Sequence, residues 1–191
     1  LLVQHGIFWG GPALLAGPLG ERVRLFLKHD IHLYAAHLPL DAHAEVGNNA
    51  VLAKMVGLPG EGWWCEPKGT PLGVYGRLPT PTPVTTFTSQ IDAQLSTTSR
   101  LLQHGPTTVT QLAIISGFGA DNASEAKALG ADTLLTGATS HANYWAASDL
   151  GLNIIYAGHY ATETVGVKAL GEHLTQKFGV QTHFFDFPTF M

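Results

Sequence analysis

The chain has 191 residues, of which 45% are apolar and only 13% charged, with a formal net charge of -4, one cysteine and ten histidines. Soluble domains carry about 25% charged residues, so much of this surface is neutral and self-association is expected. A pI near 6.2 argues against a broad nucleic-acid-binding face, no apolar run reaches the ~20 residues of a membrane span, and the lone Cys65 excludes an internal disulfide and points to a reducing cytosol.

Leu1-Leu2-Val3 reads as the end of an apolar strand, without the charged start or cleavage site of a signal peptide. Residues that normally precede it are expected to be absent from the chain. A Gly/Pro-punctuated loop over 6–20 leads to a helix predicted over 22–29 from the spacing of Val23, Leu25, Phe26 and Leu27. A short strand follows at 31–36, and Pro39 is expected to keep a helix from starting at once. Gly47-Asn48-Asn49 opens a helix over 50–56, which Gly57 closes. The Gly/Pro-rich stretch 59–83 holds a weak strand at 72–78, and its Trp63-Trp64-Cys65 patch reads as core.

Phe87, Ile91, Leu95, Leu101 and Leu102 predict a long helix over 84–103. Val109 to Ile115 is a buried strand, and Ser116 to Asp121 turns into a helix over 123–129. A strand over 133–136, a helix over 141–150, a strand over 152–157 and a helix over 165–178 complete the chain. Strands alternating with helices define an α/β fold with a largely parallel or mixed sheet.

An internal repeat concentrates the polar residues. The stretch Leu33-Tyr34-Ala35-Ala36-His37, with Asp41 four residues on, matches Ile155-Tyr156-Ala157-Gly158-His159, with Glu163 four residues on. Gly47 and Gly166 follow, and then helices of similar apolar spacing; upstream, Leu1-Leu2-Val3 resembles the strand that begins at Thr133. The chain therefore reads as two α/β repeats, an N-terminal one over residues 1–66 and a second over 67–191. Ligands of open α/β sheets collect beyond the carboxyl ends of the strands, where His5, His37, Asp41, His159 and Glu163 all fall. If the copies face each other, imidazoles and carboxylates share one cleft. That donor set suits one or two divalent transition-metal ions, Zn, Fe, Mn, Co or Ni, better than Mg or Ca. A lone His-x-x-x-Asp arises often by chance, and a repeat also persists for packing, so the pattern equally admits a purely structural reading.

Four stretches carry a family resemblance: Gln4 to Trp9, Leu33 to His43 with Gly47 to Ala50, Tyr156 to Glu163, and Phe184 to Pro188. Together they resemble the bacterial dinuclear-metal-centre proteins of the GTP cyclohydrolase I type 2 family, homologues of the yeast NGG-one-interacting factor three. The resemblance spans essentially the whole chain. It implies two intertwined α/β repeats with mixed sheets, a metal-binding cleft between them, and assembly into a homohexamer. It also implies that His5, Asp41, His159 and Glu163 ligate metal, with Glu163 bridging two ions, and that His37 stands close by as a proton carrier. Two positions depart from the family pattern. Gln4 stands where a second histidine is usual, which leaves one of two ion sites weakened, and Ala138 replaces a frequent glutamate.

Among the remaining candidates, Ser116 to Asp121 joins a strand to a helix and so offers amides to a phosphate, although a tight turn explains it as well. His43 and His141 stay open, while His29, His32, His104, His173 and His183 have no partner pattern, and Cys65 has no neighbouring base. The expected function is a cytoplasmic metal-dependent hydrolase acting on a small molecule, of nucleotide type by resemblance, with no nucleic-acid or membrane partner. The alternative is a non-catalytic metal-binding oligomer with an interaction or regulatory role.

Overall fold

The computed structural model describes residues 1–8, 11 and 13–189. Trp9 of the Gln4 to Trp9 stretch and three positions of the predicted 6–20 loop therefore lie outside the described residues.

Parallel strand pairs recur in the two halves, as the repeat requires. In the first, β1 (Leu2–Val3) pairs in parallel with β2 (Tyr34–Ala35), Leu2 opposite Tyr34. A six-stranded sheet holds the rest, five of its strands from the second half and one, Gly62–Trp64, from before residue 67. Its middle is β6 (Thr108–Ile115), β7 (Thr133–Thr136) and β8 (Asn153–Tyr156), all parallel, with Leu134 opposite both Ala113 and Ile154. On one side β4 (Gly73–Pro83) runs antiparallel to β6 and pairs with β3 (Gly62–Trp64); on the other, β5 (Arg100–Leu102) closes the edge against β8. The order is β3-β4-β6-β7-β8-β5, a mixed sheet of the α/β class.

The central strands are buried on both faces, which is why consecutive apolar residues sit at their middles, as in Leu112 to Ile115, Leu134-Leu135 and Ile154-Ile155. On one face α3 (Asn48–Met55), α4 (Val84–Leu95) and α7 (His159–Phe178) pack Leu52, Phe87, Ile91 and Val165 over Val109, Leu112, Ile114, Leu135 and Ile155. On the other, α5 (Ala123–Ala128) and α6 (Tyr144–Leu150) set Ala123, Ala126 and Ala147 over Ala113, Leu134 and Ile154. Trp64 and Cys65 belong to this second core, as expected for the aromatic patch, while Trp63 stays exposed. The helix near the N-terminus, α1 (Gly17–Lys28), buries none of its residues.

Several boundaries differ from the sequence reading, each for a physical reason. The helix predicted over 84–103 stops at Leu95, where Ser96 turns left-handed at φ 52°. The polar run Ser96 to Ser99 offers side chains that compete with helical hydrogen bonds, and Leu101 and Leu102 then satisfy the period of a strand instead. Pro39 does not prevent a helix: it sits in the first turn of α2 (Leu38–Asp41), where its missing N–H costs nothing. The weak strand at 72–78 is an eleven-residue strand, β4; Pro79 and Pro81 fall in the register irregularity between Arg77 and Thr82 opposite β6, beyond the reach of β3, and Pro83 ends the strand opposite Thr108. The last helix begins at His159, six residues earlier than predicted. His, Tyr and Thr are indifferent helix formers, so the apolar period alone hid this turn.

Candidate metal centre

The early start of α7 decides the chemistry. Gly158, at φ 92°, turns the chain sharply out of β8, and His159 becomes the first helical residue, with Glu163 one turn on along the same face. His37 and Asp41 repeat this geometry in the first half, His37 as the residue before α2 and Asp41 as its last residue.

His5, just past β1, meets the second pair from across the molecule. Its Nε2 lies 2.6 Å from Glu163 Oε2, and His159 Nε2 lies 3.2 Å from the same oxygen. One donor atom from each of His5, His159 and Glu163 fall together within 4.8 Å. His37 packs beside His5, the rings tilted by 52° with centroids 4.5 Å apart. Burial alone would raise the Glu163 carboxyl, but the hydrogen bonds from His159 and His5 outweigh it and hold the group below its ordinary range. The same hydrogen bond raises His159 against the opposing effect of its burial.

These residues fit a transition-metal ion. Ligands bound at ~2.1 Å sit roughly 3.0–3.4 Å apart around one ion, close to the 3.2 Å between His159 Nε2 and Glu163 Oε2, whereas His5 Nε2, at 2.6 Å, is hydrogen-bonded to that oxygen and would have to move back slightly to share an ion. Gly117 supplies the floor, at φ +65°, and a Cβ there would come within 2.3 Å of Glu163 Oε1 and 3.2 Å of His159 Nε2. Thr162 Oγ1 holds this floor by accepting from the Gly117 N–H at 3.1 Å while donating to Gly158 O at 2.9 Å.

Asp41 is brought to the same cleft without joining that cluster. Its Oδ1 accepts from Asn48 Nδ2 at 2.7 Å, Gln4 Nε2 at 3.0 Å and Ser116 Oγ at 3.4 Å. Burial raises the Asp41 carboxyl; the Asn48 bond opposes this, and the charge of Glu163 adds to the rise. The Gln4 amide is oriented by this contact, because a carboxylate accepts and never donates. Its own Oε1 is left buried without a hydrogen-bond partner among the described residues.

Asn48 and Asn49 escaped the sequence reading as site residues. Both are fully buried. Asn48 links Asp41 to the Gly166 N–H, which it accepts at 2.8 Å, and a Cβ on Gly166 would stand 2.5 Å from that amide oxygen. Asn49 accepts from the Ser116 N–H at 2.7 Å and donates to Leu72 O at 2.8 Å. Two consecutive amides at a helix start that needs one cap were the available signal. The open candidates resolve structurally. The Ser116, Gly117 and Gly119 amides are donated to Asn49, Thr162 and Thr136, which closes the phosphate-cradle reading. His43 Nδ1 accepts from the Glu45 and Val46 N–H groups, and His141 begins an exposed turn outside the three-residue donor cluster. Cys65 is buried, and that burial, with Glu125 nearby, pushes its thiol up to about 11.

Among the described residues, no helix is long and apolar enough to cross a membrane. The family model described as Duf34/NIF3 (NGG1p interacting factor 3) matches residues 1–189. A Deinococcus radiodurans protein named GTP cyclohydrolase 1 type 2 homolog is 41% identical over 189 residues, covering 99% of this chain and 72% of its own length. A Pyrococcus abyssi protein of the same name is 41% identical over 190 residues, 99% of this chain and 76% of that one. Among solved structures, protein ybgI, of unknown function, superposes with a TM-score of 0.91 at 36% identity, covering 98% of this chain and 75% of its own. A Thermus thermophilus protein gives 0.86 at 38% identity, covering 100% and 75%.

Proposed function

The chain belongs to the Duf34/NIF3 family, and from that footing we propose that it is a metal-dependent hydrolase with a mono- or dinuclear centre in the cleft between its repeats. The observation that carries this reading is the meeting of His5, His159 and Glu163 from opposite ends of the chain, with Asp41 and His37 beside them. His5, His159 and Glu163 hold the ion, and Asp41 completes or extends the ligand set. When bound, the ion supplies the Lewis acidity that makes water nucleophilic near neutral pH. Glu163, kept ionised by two imidazoles, accepts a proton poorly, so proton transfer falls to His37. Asn48 and Gln4 fix the Asp41 carboxylate, and Gly117 and Thr162 fix the position of Glu163. The substrate is a small molecule, and the names of the relatives favour a nucleotide. Assembly into a homohexamer in the cytoplasm is part of the proposal, with the exposed Leu25 and Leu27 of α1 as apolar surface available to a second copy.

A second reading, a metal-binding oligomer without turnover, is favoured by one observation: Asp41 Oδ1 already accepts three hydrogen bonds. The test is elemental analysis of the purified protein followed by a turnover screen over nucleotides and phosphoesters. Turnover lost in both Asp41→Ala and Glu163→Ala supports the hydrolase; full metal occupancy with no turnover supports the second reading. A chain that takes up no transition metal refutes both.

A further inference from the structure

The segment that follows α7 runs back along that helix, from its last turns to its first. Gly179, left-handed at φ 68°, ends α7 and lets the chain reverse. Thr182 Oγ1 then meets Thr175 Oγ1 at 2.8 Å and donates to Gly171 O at 3.4 Å, and the Lys168 ammonium stands 4.4 Å from the centroid of the Phe184 ring. Asp186 and Phe187 complete the path at Tyr160. Alternate residues of an extended chain face opposite ways, and Phe184 is 36% exposed against 60% and 76% for Phe185 and Phe187. Residues 180–189 are all exposed, so these few contacts, not burial, hold the strap on the helix.

Tyr160 takes two of them. Its hydroxyl donates to Asp186 Oδ1 at 2.8 Å and accepts from the Phe187 N–H at 2.7 Å. It directly follows His159, in a first turn that has no side-chain cap because Gly158 stands at the N-cap. Successive helical residues are about 100° apart, so Glu163 lies roughly 40° round from His159, Tyr160 about 100° on the same side and Thr162 about 60° on the other. Both metal ligands of α7 therefore fall between two anchored residues. Thr162 fastens one side of the turn to Gly158 O and the Gly117 N–H, and Tyr160 fastens the other to the strap.

We propose that Tyr160 and Asp186 are positioning residues, which clamp the first turn of α7 and so keep His159 at the distance from Glu163 that one ion requires. The inference rests on the metal reading of the site. Helix ends fray first, and His159 is the first residue of its helix, while Glu163 lies one turn further in. Opening that turn separates the two ligands.

Chelator competition with Zn²⁺ and Co²⁺ on the full chain tests this, together with hydrogen exchange of the metal-free chain read by mass spectrometry. Tyr160→Phe keeps the ring and removes both hydrogen bonds. It binds the metal about three- to tenfold more weakly, the range of one net hydrogen bond, and its peptide over residues 159–163 exchanges faster than the parent's. Asp186→Asn keeps an acceptor for the Tyr160 hydroxyl while dropping the charge, and stays within about twofold of parental affinity. Thr182→Val cuts the strap at its other end and leaves metal affinity unchanged, so lost stability alone is not what the affinity reads. Parental metal affinity or parental exchange in Tyr160→Phe, an Asp186→Asn loss as deep as that of Tyr160→Phe, or an equal loss in Thr182→Val each overturns the proposal. A parent that binds neither metal refutes the metal reading and the positioning role with it, and the exchange comparison then decides the clamp on its own.

Discussion

Gly117→Ala separates the role of the site floor from ordinary backbone strain. Gly117 sits at φ +65°, where an alanine costs roughly 1–2 kcal/mol. Its added Cβ would stand 2.3 Å from Glu163 Oε1, against 3.4 Å for ordinary contact, so the carboxylate must retreat by the difference, 1.1 Å. Metal sites tolerate displacements of only about 0.2 Å in their ligands, and disturbing the support of a ligand typically lowers metal affinity by about 10–100-fold. Gly130 provides the control, being left-handed at φ +83° with nothing within 4 Å of a built Cβ. Gly130→Ala is expected to lower the melting temperature by roughly 2–8 °C, the strain alone in a chain of this size, and to leave metal binding intact. Gly117→Ala is expected to lose more stability and to bind Zn²⁺ or Co²⁺ at least about tenfold more weakly in competition with a chromogenic chelator. Parental metal affinity in Gly117→Ala would refute both the placement of Glu163 in the metal site and the role given to the floor.

Asn48→Ala is expected to destabilise the chain by about 2–4 kcal/mol, since it strips a donor from buried Asp41 and leaves the Gly166 N–H buried without an acceptor; urea unfolding measures this. Gln4→His removes a neutral amide from Asp41 and adds an imidazole to the cleft, so elemental analysis after dialysis should find more metal per chain than in the parent. The metal-stripped chain should be most stable in mildly acidic solution. Glu163, lowered from 4.5, contributes stability that is lost as pH falls below that value; His159, raised from 6.5, contributes stability that is complete below 6.5 and lost as pH rises past it. Asp41, raised from 3.8, opposes Glu163 by costing stability once it ionises. Melting temperatures between pH 4 and 9 should therefore fall on the alkaline side, and Glu163→Gln should flatten that fall; a parental curve level from pH 6 to 9 would contradict the assignment.

Much of this protein was legible in its residues because one local unit occurs twice. The strand, small residues, histidine and carboxylate of Tyr34 to Asp41 recur at Tyr156 to Glu163, and the structure gives each copy a parallel strand pair feeding a helical turn. Burial of Leu112 to Ile115, Leu134 and Leu135, and Ile154 and Ile155 followed from the short apolar runs they form in β6, β7 and β8. Less legible were features that depend on partners distant in the chain. The stop of α4 at Ser96 and the pairing of Leu101 with Ile155 are imposed by an edge of sheet that local periodicity does not display. The buried asparagines looked like a helix start, because their functions are contacts to Asp41, Ser116 and Gly166.

The sequence by itself determined the α/β class, the duplication and the residue types capable of metal chemistry, since these reside in local period and in repeated spacing. Tertiary structure alone decided which of them meet. His5 and Glu163 are 158 positions apart and touch at 2.6 Å, whereas Asp41, with the same side-chain chemistry as Glu163, is held by Gln4, Asn48 and Ser116 outside the three-residue cluster. The physical reason is that coordination requires donor atoms within a few ångströms of one another, and only the packing of one repeat against the other sets such distances.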